Sequence, residues 1–138
     1  MQAVTSNKTG MFTRNYFFHR LERSIILQQS TGMTYSIILI YFENAGQILE
    51  QNGPEILEDI YYSLYSLLSD NLRVPDECFL VSQTEVVIFL ENADLQNAKT
   101  VASRITPKIK DYHYTKNGTD LPLTCHVEAE AYDEDKYN

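Results

Sequence analysis

A chain of 138 residues, 43% of them hydrophobic and 12% aromatic, is long enough to bury one core and too short for two ordinary domains. Its 11 basic against 19 acidic residues give a formal charge of −8, an averaged field that argues against broad nucleic-acid or anionic-membrane binding. The longest apolar run, residues 35–42, is far short of the roughly 20 that cross a bilayer as a helix, and the first residues lack a secretory signal, so a cytoplasmic domain is expected.

Within residues 10–28, Phe17, Leu21 and Ile25 recur at four-residue steps, with Arg14, Arg20, Glu22 and Arg23 on other faces; this predicts an amphipathic first helix. After the break at Ser30-Thr31-Gly32, the β-branched and aromatic run from Tyr35 to Phe42 predicts a central strand buried on both sides. A helical stretch from Ala45 is interrupted at Gly53-Pro54, where Pro54 opens a second helix to Ser69 with Ile56, Ile60, Leu64, Leu67 and Leu68 inward. Two short apolar runs, 78–81 and 86–90, are separated by four residues and predict a β-hairpin. Asn92 or Asp94 caps the next helix, whose stripe is Leu95, Ala98, Ala102, Ile105 and Ile109. Residues 112–120 are polar, with a turn at Asn117-Gly118, and a last strand over 121–132 precedes an acidic, frayed tail at about 133–138. The order helix, strand, broken helix, hairpin, helix, strand predicts an α+β fold with one sheet covered by helices.

Cys78 and Cys125 sit in separate apolar stretches and are expected as buried free thiols. With no CxxC pair and with His19, His113 and His126 far apart, no structural metal is expected.

The register of these elements resembles the GGDEF domain, the diguanylate cyclase family of bacteria, over nearly the whole chain. Thr9, Gly10, Arg14 and Phe17 match the family's LTGLxNRRxF segment. Within residues 38–53 its LIDIDxFKxxNDxxG pattern aligns without gaps, and the signature turn reads Ser82-Gln83-Thr84-Glu85-Val86, in which only Glu85 is kept. The resemblance implies a nucleotidyl cyclase-like, ferredoxin-like palm with a mostly antiparallel sheet, formed by residues 1–138 as one degenerate GGDEF-like domain.

The substitutions bear on the chemistry. The family's two metal-binding carboxylates match Tyr41 and Thr84, and a phenol and a neutral hydroxyl do not replace anionic oxygen ligands for magnesium. Ser82 and Gln83 stand for the paired glycines that let phosphates approach the backbone. The phosphate-contacting lysine matches Gly46, and the guanine-reading Asn and Asp match Leu49 and Glu58. The expectation is a domain that is not an enzyme, with no catalytic residue, no metal and no cofactor.

One site of the family stays in register, the RxxD product site. Arg73-Val74-Pro75-Asp76 is followed by five residues before Ser82, the family's spacing, and its further arginine falls on Arg104. Guanidinium groups can donate paired bonds to guanine O6 and N7, a carboxylate can accept from N1–H and N2–H, and arginine stacks on purines. The resemblance therefore implies a cyclic di-GMP receptor acting through Arg73, Asp76 and Arg104. Its occupancy would pass to a protein partner or attached regulatory domain, with ligand-linked homodimerisation as a corollary. The alternatives are a GGDEF-derived protein–protein scaffold that has lost nucleotide binding, and residual GTP binding without cyclisation.

Overall fold

The computed structural model describes residues 9–116 and 118–131; the tail expected at 133–138 lies outside them. In chain order the elements are β1 (Phe12–Thr13), α1 (Arg14–Thr31), β2 (Tyr35–Phe42), α2 (Ala45–Asn52), α3 (Pro54–Ser69), β3 (Glu77–Leu80), β4 (Glu85–Glu91), α4 (Leu95–Lys110), β5 (His113–Lys116), β6 (Thr119–Pro122) and β7 (Cys125–Ala131). Five strands form one sheet in the order β1-β3-β4-β2-β7, and β5 and β6 form a separate hairpin. β1 runs parallel to β3 and every other pairing in the main sheet is antiparallel. This is the α+β fold expected, with a mixed five-stranded sheet covered by four helices.

The central strand behaves as its composition demands. Ile38, Ile40 and Phe42 point to one face, where they pack with Ile60, Leu64 and Leu68 of α3 and Ala98, Ile105 and Ile109 of α4. Tyr35 points to the other face and joins Phe79 and Phe89 beneath Phe17, Leu21 and Ile25 of α1. Fully buried side chains of this size contribute about 1.5–3 kcal/mol each, so both faces of β2 hold the fold together.

Local chemistry sets the boundaries. α1 starts at Arg14 rather than at Gly10: Gly10 has φ of 80°, a conformation outside the helix, and the Thr13 hydroxyl caps α1 by accepting the Tyr16 N–H. The helix also continues beyond Gln28 to Thr31, where Gly32 closes it with φ of 74°. The break between α2 and α3 falls at Gly53-Pro54, with φ of 88° at Gly53. Asp94, not Asn92, caps α4, exchanging bonds with Asn97 in a capping box.

Other inward positions differ from expectation. On α3 the buried stripe is Leu57, Ile60, Tyr61, Leu64 and Leu68, while Ile56 and Leu67 are only half-buried. Leu95 is exposed. Arg20, expected on an outer face, is 8% exposed beneath α1. Cys78 is buried, whereas Cys125 is only half-buried, because β7 is a bordering strand of the main sheet. Burial pushes the Cys78 thiol up to about 12. Among the described residues no helix is long and apolar enough to cross a membrane.

Candidate functional site

The β3–β4 hairpin carries a cleft at each end. At the first, the chain leaving α3 turns at Asn71 and then forms a tight turn over Arg73–Asp76, closed by the Asp76 N–H donating to the Arg73 carbonyl at 3.0 Å. Pro75 in the turn keeps Val74 out of helix, so the four residues form a connector rather than an extension of α3. The Asp76 side chain is 2% exposed. Its Oδ2 accepts from the Arg73 backbone N–H at 3.0 Å and from Arg73 Nε at 3.2 Å, and its Oδ1 accepts from Nη2 at 3.0 Å.

Arg73 Nη2 also donates to the Glu91 carbonyl at 2.5 Å, at the end of β4. The hydrogen bond to Asp76 is the largest cause that raises the guanidinium above its ordinary value; burial opposes it, and the fields of Asp76 and then Glu91 add smaller upward effects. Arg104 comes from α4, one residue before the core-facing Ile105, and its Nη2 donates to the Asn71 carbonyl at 2.6 Å. Arg73, Asp76 and Arg104 thus line one cleft of about 260 Å³, together with Asn71, Asn97 and Thr100.

Arg104 is brought to the Arg73–Asp76 turn, about thirty residues away in sequence, because α3, the hairpin and α4 meet at this end of the sheet. Arg73 is half-exposed and Arg104 is exposed, so two guanidinium groups face the cleft with donors to spare. The Asp76 carboxylate lies beneath Arg73 and serves it. A ligand base that is to reach Asp76 must first displace Arg73.

At the other end of the hairpin, the turn over residues 82–84 is satisfied from within. Thr84 N–H donates to Ser82 Oγ at 3.2 Å, Ser82 Oγ donates to Glu85 Oε1 at 3.1 Å, and the buried Tyr61 hydroxyl donates to the Gln83 carbonyl at 2.5 Å. Burial holds that phenol protonated by raising it well above its ordinary value.

Tyr41, paired with Glu85 across β2 and β4, is 43% exposed. Leu49, Glu58, Ser82 and Gln83, which the resemblance aligns with base- and phosphate-contacting positions, do line one cleft, of about 250 Å³ and walled by Leu57 and Tyr61. No basic side chain stands among the described residues that line it. Glu58 adds negative charge, and Ser82 already takes the Thr84 N–H that a phosphate oxygen would need.

The sequence does not by itself assign Tyr61, Asn71 or Glu91 to either cleft. Tyr61 was legible, since Leu57, Tyr61, Leu64 and Leu68 repeat at helical spacing. Asn71 and Glu91 act through backbone carbonyls, which leave no trace in residue type.

The family model described as diguanylate cyclase, GGDEF domain, matches residues 3–138. A curated relative, the probable diguanylate cyclase DgcT of Escherichia coli strain K12, is 22% identical over 102 residues, covering 74% of this chain and 22% of the relative. The chain therefore spans about a fifth of that relative's length.

The FimX GGDEF domain from Pseudomonas aeruginosa superposes with a TM-score of 0.87 at 12% identity, over 96% of this chain and 82% of that one. The GGDEF domain of DgcB from Caulobacter crescentus, solved in complex with c-di-GMP, gives 0.84 at 13% identity, over 96% and 80%. Diguanylate cyclase SiaD from Pseudomonas aeruginosa, solved with its activator SiaC, gives 0.85 at 18% identity, over 95% and 50%. At these identities the superpositions speak for the fold. With the match extending across almost the whole chain, the protein belongs to the GGDEF domain family of cyclic di-GMP signalling.

Proposed function

We propose that residues 1–138 form a single degenerate GGDEF domain that does not cyclise GTP and instead binds cyclic di-GMP through Arg73, Asp76 and Arg104. It passes the occupancy of that site to a protein partner or attached domain. The observation that carries this reading is the convergence of the three residues on one cleft of about 260 Å³. That volume is slightly below the roughly 300–1,000 Å³ of whole-ligand pockets, so the cleft takes one guanine and its phosphate while the rest of the dinucleotide lies outside. A second copy of the domain can then meet the exposed half of the ligand, which makes ligand-linked dimerisation the corollary. Coupling of this kind requires the ligand to bind the bridged state more tightly than the separate one.

Loss of turnover is supported at the opposite cleft. Tyr41 and Thr84 offer no carboxylate to a divalent cation, and the internal bonds of Ser82 leave the turn closed to a triphosphate. Purified protein given GTP and magnesium is expected to form no cyclic di-GMP by chromatography, and production of the dinucleotide overturns this part of the reading.

Calorimetric titration with cyclic di-GMP, with GTP and magnesium as comparison, tests the receptor. Saturable binding of the dinucleotide that Arg73→Ala removes supports it. No heat and no thermal shift at high ligand concentration moves the protein–protein scaffold to first place.

A further inference from the structure

Arg20 lies under α1 with every guanidinium nitrogen engaged. Its Nε donates to Glu77 Oε1, its Nη1 to Ser24 Oγ and its Nη2 to Glu91 Oε2, each at 2.7 Å, and its Cζ sits over the Phe89 ring, 4.4 Å from the ring centre. The two carboxylates come from the strand ends that border the Arg73 cleft. Glu77 follows Asp76 directly, and Glu91 is the residue whose carbonyl receives Arg73 Nη2. Glu91 is therefore shared: its carboxylate belongs to Arg20 and its carbonyl to Arg73. The Glu91 charge is also close enough to act on the Arg73 guanidinium.

We propose that Arg20 is a positioning residue for the Arg73 site: by holding the Glu91 carboxylate against α1, it keeps that carboxylate off Arg73 and leaves Arg73 Nη1 open to an external guanine or phosphate. The inference rests on the reading of Arg73 as a ligand-binding residue. A glutamate side chain is long enough to fold back onto a guanidinium bonded to its own carbonyl; since Asp76 and the Glu91 carbonyl already hold Nε and Nη2, a carboxylate on Nη1 would consume the donors left for a ligand. Arg20 reaches Glu77 and Glu91 from two nitrogens of one rigid plane, so it fixes both carboxylates at a set separation, whereas a lysine has a single rotatable ammonium and would hold them more loosely.

The test reads Arg73 directly, through its Nε–Hε correlation in arginine-labelled protein, assigned with Arg73→Ala, alongside titration with cyclic di-GMP. In Arg20→Met the Arg73 signal is expected to move as Glu91 takes the guanidinium, and the affinity to fall at least tenfold. Adding Glu91→Gln, which removes the competing charge without restoring the Arg20 bonds, is expected to return both towards wild type.

Affinity lost with an unmoved Arg73 signal, or without rescue by Glu91→Gln, overturns the proposal and leaves Arg20 a structural residue. If Arg20→Met does not fold, Arg20→Lys serves in its place, with the signal expected to move part of the way; an unmoved signal there also overturns it. Failure of the wild-type domain to bind cyclic di-GMP refutes the receptor reading instead. The Arg73 signal, which needs no ligand, still decides whether Arg20 restrains Glu91.

Discussion

At one end of the β3–β4 hairpin a cleft of about 260 Å³ is rimmed by Arg73 and Arg104; at the other a cleft of about 250 Å³ is walled by leucine and tyrosine and carries Glu58. The six steps of extended chain from Asp76 to Ser82 separate them by about 20 Å. One hairpin therefore borders two clefts of similar size whose linings differ in charge. In this fold the backbone supplies places for ligands, and a handful of side chains decides which ligand each place accepts.

The difference between the clefts can be broken most sharply at Arg73. Arg73→Ala deletes the fork bonded to Asp76 and facing the cleft, and removal of two charge-assisted bonds is expected to cost about 3 kcal/mol of ligand binding, roughly 100-fold in affinity by calorimetry. The thermal midpoint of the unliganded domain should change little, because an ion pair whose arginine is half-exposed contributes at most about 1 kcal/mol.

Cys78 lies on β3 between the two clefts, in the core rather than in the lining of either. Its thiol ionises near 9 in the unfolded chain and only near 12 when folded. A folded value raised in this sense means that the stabilisation is complete below pH 9 and is lost as pH rises, with a slope approaching about 1.4 kcal/mol per pH unit. Denaturant titrations above pH 9 should show this fall, and Cys78→Ala should make it shallower, leaving the part due to Cys125 and, above pH 10, to Tyr61, which burial also raises.

Smaller effects separate the ends again. Arg104→Ala is expected to weaken cyclic di-GMP binding about tenfold, the value of one charge-assisted bond, without altering the opposite turn. Tyr61→Phe removes the hydroxyl bond to the Gln83 carbonyl and should cost about 1 kcal/mol of stability in denaturant titration, with ligand affinity at Arg73 unchanged.

The parts legible in the sequence were those with a strong period or an exact register. The run from Tyr35 to Phe42 spelled out a central strand, Gly53-Pro54 marked the helix break, and the spacing from Arg73 to Ser82 placed an arginine turn at one end of a hairpin. β1 escaped because two residues carry no period, and β5–β6 escaped because His113–Lys116 lacks the apolar alternation of a strand packed on the main core. Arg20 escaped for a different reason: a charged residue on an amphipathic helix reads as exposed until its two carboxylates, 57 and 71 residues away, are brought to it. The burial of Asp76 beneath Arg73 likewise arises from packing and has no counterpart in the RxxD spacing.

The sheet order has a consequence for self-association. β7 borders the main sheet among the described residues, and alternation sets His126, Glu128 and Glu130 in a row on one of its faces. A strand added there would have to strip water from this polar, acidic row. At the opposite border, among the described residues, β1 offers two residues as a template. Both margins thus resist the edge-to-edge growth that leads to aggregation, so concentrated protein should stay free of cross-β material, and any pairing of two copies would use the helical and cleft-bearing surfaces instead.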